Sequence, residues 1–379
     1  MSQAAHRSRP FLRILYLVAD YGSVNAGGIA TYVHSIASLL AADGHQVEVL
    51  SPHVARFDPP RVPYRITKLE GGSQRTNRLA LSHRFAEAVE ARADSIDIVE
   101  ATDWGMEGFH VLQRTTAPCV IRFHTPSSKV EELNDEVRRQ DSAEVRTVEA
   151  EYFASTRYLS APSQAMIRLV GETWSGVADI THLPNPLLSP KKRVAKAASQ
   201  QRCFGFLGRL ERRKGVYELA EALSVLLPQC PDFHFFFAGP DTRHADSSVG
   251  RDLRDLLSGV EDRVHFTGFL DDARRLEFLN LIECAVFPSL WENAPYACVE
   301  AMVAGLPIIA TAGSGFEELT GLSECVTLVP PGDGRGLRGA MRHRYRSASA
   351  TVEYEALHRL SWESLREPTI DFYRRAAGA

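Results

Sequence analysis

The chain has 379 residues and a formal net charge of −4, enough for about two domains and the wrong overall sign for a general nucleic-acid binder. Its 44% hydrophobic and 24% charged shares are those of an ordinary soluble globular protein, and no apolar run reaches the length of a membrane span. The six cysteines, Cys119, Cys203, Cys230, Cys284, Cys298 and Cys325, contain no Cys-x-x-Cys pair; they read as reduced core thiols of a cytoplasmic protein, not as a metal or disulfide framework.

Residues 1–10 are polar and read as a disordered N-terminus, with a strand-length apolar run behind them in place of a secretion signal. Phe11–Ala19 is a buried-type strand. The loop from Asp20 closes on Gly27-Gly28, and a helix follows with Ile29, Tyr32, Val33, Ile36 and Leu40 on one face. Gly44 stops that helix, and Gln46–Leu50 is the next strand. This β-loop-α-β opening predicts a Rossmann-like sheet. The glycines do not form Gly-x-Gly-x-x-Gly, so nicotinamide binding is not signalled. Residues 52–78, rich in Pro, Gly and Arg, predict short strands and a mobile loop. A helix over Leu79–Ala93 leads to strand Ile96–Glu100, followed by Thr102, Asp103 and Trp104. Strand Cys119–Phe123 delivers His124 at its carboxyl end, the edge at which open parallel sheets bind ligands. A long charged helix over 128–157, a strand at Tyr158–Ala161 and a helix from Pro162 complete a first domain over 11–188.

Residues 189–201 have the composition of a linker. The alternation then restarts in a second domain over 202–358. Its strands are Cys203–Leu207, Phe233–Ala238, Val264–Thr267, Ala285–Pro288, Pro307–Thr311 and Val326–Val329. Two such units facing across a cleft would bind a ligand there. The last stretch, about 350–375, is helical, with Trp362, Leu365 and Phe372 as its apolar side.

Two loops of the second domain carry the chemistry. Gly208-Arg-Leu-Glu-Arg-Arg-Lys-Gly215 follows its first strand. Arg209 and Lys214 stand five positions apart there and could share one diphosphate; the bland alternative is a basic turn open to water. Ser289-Leu-Trp-Glu-Asn-Ala-Pro-Tyr-Ala-Cys-Val-Glu300 runs from a strand end into a helix, with Glu292 in the loop and Glu300 in the helix. Asn293 is placed to cap that helix, Pro295 suits its first turn, and Gly305 suits its end. A helix start at a strand's carboxyl end offers N–H groups to an anion. Carboxylates beside it suit hydroxyls, and the combination suggests a sugar nucleotide.

Together these residues resemble the retaining glycosyltransferases of family 4, which have the GT-B fold of two Rossmann-like domains facing across a cleft. The likeness covers nearly the whole chain. It is carried by Gly27-Gly28, His124, the Gly208–Gly215 loop, the Glu292–Glu300 pair with Glu300-Ala-Met-Val-Ala-Gly-Leu-Pro307, and Val329-Pro-Pro-Gly-Asp333. It implies that the terminal helix, over 359–379, packs back on the first domain, and that Arg209 and Lys214 stabilise the diphosphate leaving group. Glu292 would contact the transferred sugar, Glu300 the ribose, and His124 would lie near the donor sugar. Gly27 and Gly28 would border the phosphates or the acceptor. The donor set also takes in Gly239, Leu270, Asn293, Ala294, Pro295 and Tyr296, and Asp103, Trp104 and His124 are candidates for the acceptor. Asn293-Ala-Pro-Tyr296 replaces the Gly-Phe-Gly common in the family.

The resemblance implies a nucleotide-diphosphate sugar as co-substrate, UDP-sugars being the commonest and GDP-sugars the alternative. It implies no tightly bound cofactor, and no Asp-x-Asp metal motif is present. The acceptor would be a sugar, glycan or natural product. Other readings are a GT-B epimerase or phosphorylase, a two-lobed solute-binding protein, and a lipid-acceptor enzyme. The last would meet anionic lipid through the basic residues of 52–84.

Overall fold

The run Arg13–Leu17, buried at every position after the first, forms strand β1. It starts the first of two all-parallel sheets in the computed structural model, which describes residues 10–21, 27–54, 62–70, 78–134, 142–188, 202–243, 248–320, 325–347 and 355–378. Most of the expected disordered N-terminus, the loop residues 22–26, parts of 52–78 and the whole 189–201 linker lie outside these. One compact unit comprises Met1–Glu131, Arg139–Leu188 and Arg359–Ala379, and the other Glu132–Arg138 and Ser189–His358.

The first unit continues with α1 (Gly28–Ala42), β2 (Gln46–Ser51), β3 (Arg65–Lys68), α2 (Arg78–Glu90), β4 (Ile98–Thr102), α3 (Phe109–Arg114), β5 (Cys119–Arg122), α4 (Ser127–Leu133), α5 (Ser142–Ala154), β6 (Leu159–Ala161), α6 (Gln164–Thr173) and β7 (Ile180–His182). Its sheet order is β3-β2-β1-β4-β5-β6-β7, so the winding reverses between β1 and β4. Alternation sorts the strand residues onto two faces. Leu15, Leu17, Val99 and Ala101 meet Leu81, Phe85 and Val89 of α2. The helix expected over 128–157 is seen as α4 and α5, and residues 135–141 between them lie outside the described residues. Strand β7, three half-buried residues, is too short to leave an apolar run and was not anticipated.

The second unit runs β8 (Arg202–Leu207), α7 (Val216–Leu226), β9 (Phe233–Ala238), α8 (Val249–Leu256), β10 (Val264–Gly268), α9 (Asp272–Leu281), β11 (Cys284–Phe287), α10 (Tyr296–Val303), β12 (Ile308–Thr311), α11 (Glu317–Thr320), β13 (Val326–Val329) and α12 (Gly334–Arg346). The order β10-β9-β8-β11-β12-β13 reverses between β8 and β11. Phe204, Phe206, Phe233, Phe235 and Phe237 fill one face under α7, α8 and α12. On the other face Gly205 leaves room for α9: a β-carbon there would stand 2.6 Å from the Phe278 ring.

Helix α13 (Trp362–Ala377) belongs to the first unit, as expected for a helix that crosses back. Trp362 Nε1 donates to Asp43 (2.7 Å). Deeper in, the Tyr373 hydroxyl donates to Glu100 Oε2 (2.7 Å) and lies 2.9 Å from the Tyr16 hydroxyl. Glu100 is 3% exposed. Burial pushes its carboxyl up, opposed by Arg122 and by the Tyr373 and Tyr32 hydroxyls. Removing one of those donors leaves a buried oxygen short of a partner, which costs about 1–3 kcal/mol. Tyr373→Phe should therefore lower the stability of the first unit by about that amount, read as a lower urea midpoint. An unchanged midpoint would show that this bond does not hold α13 in place.

Candidate functional site

In the second unit the loops after β8 and β11 flank the reversal point of the sheet, where open α/β sheets bind ligands at their carboxyl ends. The β8 loop makes a 3-10 turn at Arg212–Lys214 and leaves it through Gly215, whose φ is +66°. A β-carbon at Gly215 would stand 1.9 Å from the Pro288 carbonyl oxygen, so only glycine lets the two loops touch through their backbones. Leu290 N–H donates to Arg213 O (2.8 Å), and Gly315 N–H donates to Glu292 O (2.8 Å). The Thr311 hydroxyl, at the end of β12, donates to the Ser289 carbonyl.

This framework holds an ion pair. Lys214 Nζ donates to Glu292 Oε1, which also accepts from Ser289 Oγ (2.9 Å). Arg213 lies 3.9 Å from the same oxygen and pairs with Glu211 at 2.8 Å. Glu292 is 8% exposed. Burial pushes its carboxyl up, but Lys214, Arg213 and the two hydrogen bonds outweigh it and bring it below the usual range. Burial and Arg213 pull the Lys214 ammonium below the ordinary lysine value, with Glu292 and Glu211 opposing. Arg213, read from sequence as part of a basic turn, thus belongs to this cluster, whereas Arg209, at the start of the same loop, is exposed.

Asn293 does not cap α10. The cap position is Pro295, with no side-chain bond, and the helix starts at Tyr296. Asn293 is instead buried at 5% exposure, its carbonyl packed against Gly315, where a β-carbon would come within 1.6 Å. Ala294, Pro295 and Tyr296 are half-buried at the helix start. Pro295 has no N–H, and Cys298 and Val299 N–H both donate to Pro295 O (3.0 and 3.1 Å), so the first-turn N–H groups ahead of the helical ladder are those of Tyr296 and Ala297. Gly305, at φ +72°, closes α10: Leu306 N–H donates to Ala301 O (3.0 Å) and Gly305 N–H to Met302 O (2.8 Å), a Schellman pair. Glu300, two turns into the neighbourhood of Glu292 by sequence, does not join its cluster. It pairs with Arg275 of α9 (Nε to Oε2, 3.2 Å). Burial pushes its carboxyl up, with Arg275 opposing. Gly239 ends β9, where its β-carbon would strike the Gly208 carbonyl. Leu270 is half-buried just before α9.

In the first unit, Gly27 takes the cap position of α1. Gly28 opens the helix, and a β-carbon there meets nothing within 4 Å. One turn on, Tyr32 packs edge-on to His124, ring centroids 5.2 Å apart. Burial and Arg122 hold the His124 imidazole well below its ordinary range, hence neutral. Asp103, an acceptor candidate, is fully buried and accepts from the His124 N–H (2.8 Å). Its contact with His124 is structural. Trp104 is 38% exposed, with the Arg78 guanidinium 5.4 Å above its ring.

Sequence reasoning missed Glu107. It sits at the β1/β4 reversal, accepting from Thr102 Oγ1 (2.6 Å) and from Ala19 N–H (3.3 Å). It thus ties the ends of the two strands. The neighbouring Met106 adopts φ +53°, a conformation few non-glycine residues take. The signal available was an acid five residues beyond a strand end, too common to single out.

Two family models match the sequence: a glycosyl transferase 4-like domain over residues 27–186 and glycosyl transferases group 1 over 201–346. Together they take in most of the chain, which belongs to the family-4 glycosyltransferases of GT-B fold. Among relatives, glycogen synthase of Mycobacterium tuberculosis is 26% identical over 364 residues, covering 87% of this chain and 85% of that protein. Phosphatidyl-myo-inositol mannosyltransferase of Mycolicibacterium smegmatis is 24% identical over 385 residues, covering 96% and 94%. Among solved structures, sucrose-phosphate synthase from Thermosynechococcus elongatus superposes with a TM-score of 0.77 at 20% identity, covering 96% of this chain and 98% of that one. Anabaena HepE, in complex with UDP and glucose, gives 0.72 at 18% identity, covering 95% and 98%. Among the described residues no helix is long and apolar enough to cross a membrane.

Burial raises the Glu107 carboxyl to about 7, with the Thr102 bond and backbone N–H groups opposing. A carboxyl raised on folding contributes stability that is complete below its unfolded value and is lost as pH rises through the folded one. Wild-type protein should therefore lose up to about 3 kcal/mol between roughly pH 4.5 and 7 from this group. Glu107→Gln should flatten that part of the stability–pH curve measured by urea unfolding. An equally steep curve in the variant would assign the slope elsewhere.

Proposed function

We propose that this glycosyltransferase is a retaining enzyme that moves a sugar from a nucleotide-diphosphate donor to an acceptor hydroxyl. The observation that carries the reading is the buried Lys214–Glu292 pair at the β8/β11 reversal, with Arg213 within it and Arg209 exposed at the start of the β8 loop. An ammonium has three N–H donors. Glu292 takes one, so Lys214 can also bind a phosphate oxygen, with Arg209 as its second cation. The first turn of α10 adds backbone N–H groups and the positive end of a helix dipole. Glu292 holds Lys214 through Oε1, and its Oε2 is assigned to a hydroxyl of the donor sugar. Glu300, oriented by Arg275, is assigned to the ribose.

In the proposed step the bond from the anomeric carbon to the phosphate oxygen breaks as the acceptor oxygen bonds to the same face. The acceptor proton passes to the departing diphosphate. The rate comes from positioning and from stabilising the leaving charge. Neutral His124 suits a hydrogen bond near the sugar. The UDP and glucose in the HepE structure support a UDP-sugar, with GDP-sugars as the alternative. The acceptor is a sugar, glycan or natural product carrying a free hydroxyl.

A panel of UDP-, GDP-, dTDP- and ADP-sugars tests the donor class by thermal shift. The matching donor at a hundredfold its Kd should stabilise by about 2.7 kcal/mol, and no shift with any of them would refute a nucleotide-sugar donor. Lys214→Ala should cost about 3–4 kcal/mol in the chemical step, a hundred- to a thousandfold in kcat, on the scale of losing an oxyanion donor. Turnover within a few-fold of wild type would remove Lys214 from the leaving-group role.

A further inference from the structure

Helix α12 has no part in the proposed chemistry, and its solvent side is strongly basic. Its sequence, Gly-Arg-Gly-Leu-Arg-Gly-Ala-Met-Arg-His-Arg-Tyr-Arg, contains no acidic residue. Leu337 and Met341 turn inward and are buried in the core of the second unit. Arg335, Arg338, Arg342 and Arg346 recur at spacings of three, four and four, which puts them in one row along the helix. The row is about 16 Å long at 1.5 Å per residue. Arg335 and Arg346 are exposed and Arg338 and Arg342 half-exposed, with exposed His343 beside them.

Several arginines elsewhere are matched to carboxylates. Arg13 pairs with Asp97, Arg92 with Glu48, Arg114 with Glu90, Arg202 with Glu283 and Arg366 with Asp43. Among the described residues none of the four α12 arginines meets a carboxylate. The one bond they make, from Arg342 to Gln229 Oε1 (2.5 Å), is to a neutral amide. Four unmatched positive charges in a straight row stand out on a chain whose net charge is −4. Gly336 and Gly339 lie between the arginines, and a β-carbon on Gly339 would meet nothing within 4 Å. Small residues between the guanidinium groups let a flat surface approach all four at once.

We propose that the arginine row of α12 is a docking surface for an anionic lipid bilayer, with the four guanidinium groups on lipid phosphates. Guanidinium forks suit phosphate oxygens, and basic residues near an anionic leaflet contribute independently of one another. A nucleic-acid strand fits the row less well, because the single exposed ring beside it, His343, makes no platform for successive bases. Tyr345, the other ring of α12, is turned to Asp232. The apolar face of α12 is spent on the protein core, so the attachment is electrostatic, reversible and salt-sensitive. It would hold the second unit at the bilayer without any membrane-spanning segment, and it does not depend on the donor assigned above.

Co-sedimentation of the full chain tests this, using vesicles of phosphatidylcholine and phosphatidylglycerol in equal parts and vesicles of phosphatidylcholine alone. Wild type should bind the mixed vesicles at low salt, leave them at high salt, and ignore the neutral ones. The variant R335Q/R338Q/R342Q/R346Q should bind at least about tenfold more weakly, while the matching four-lysine variant should retain most of the binding. Circular dichroism and the urea midpoint of both variants establish that they fold. Equal binding by the glutamine variant would overturn the proposal. So would loss of binding from Arg65, Lys68, Arg78 and Arg84 substitutions alone, indifference to lipid charge, or binding to RNA and not to vesicles.

Discussion

The second unit is built around a charge pair that water would otherwise hold apart. Taking an ammonium and a carboxylate out of solvent costs several kcal/mol for each ion, and their attraction offsets that only when the geometry is good and the remaining polar atoms are satisfied. Lys214 and Glu292 meet those terms because neighbouring parallel strands end at the same edge. Their loops lie backbone to backbone through Gly215, and Gly315 of the loop after β12 packs on the Glu292–Asn293 backbone. Ser289 donates a second hydrogen bond to the carboxylate, and Arg213 adds a second positive charge within 4 Å. Had either glycine carried a side chain, the loops would separate, and the pair would be replaced by two solvated residues of no particular orientation.

The first unit meets the same problem differently. At its own winding reversal the buried acids Asp103 and Glu107 form no ion pair among the described residues, and Arg78 acts on Glu107 only through its field. Hydrogen bonds from backbone and hydroxyl groups, and a shift toward the protonated form, take the place of a pair. His124 is kept neutral. The two edges therefore have opposite electrostatic character. One concentrates charge suited to a phosphate, and the other offers neutral hydrogen-bonding groups suited to hydroxyls.

Much of this architecture could be read in the amino-acid order. Buried parallel strands are continuous apolar runs, and β9 was located to the residue at Phe233–Ala238. Loops that follow such strands inherit a position at the ligand edge, which is why Lys214 and Glu292 could be paired as candidates. What stayed hidden depended on contacts distant in sequence. The pairing of Glu300 with Arg275, 25 residues away, and the role of Glu107 against Ala19 leave no local trace. Asn293 shows the limit of local rules. It is a good capping residue in a good place, yet the tight approach of Gly315 draws it inward and the helix begins three residues later. Helix α12 escaped notice because its apolar side rests mainly on two fully buried residues among glycines and arginines.

Helix α13 gives the first unit an unusual order of completion. Its residues follow the second unit in the chain, yet Tyr373 is what caps Glu100 and Tyr16 in the first. During synthesis, domains tend to fold as units in the order they emerge. Here the earlier unit must wait, with a buried acid and an apolar sheet face still open, until the later one has been made. The second unit can thus reach its native state first although it is second in line. A nascent chain released before α13 would present an uncovered sheet face, a surface of the kind that chaperones bind.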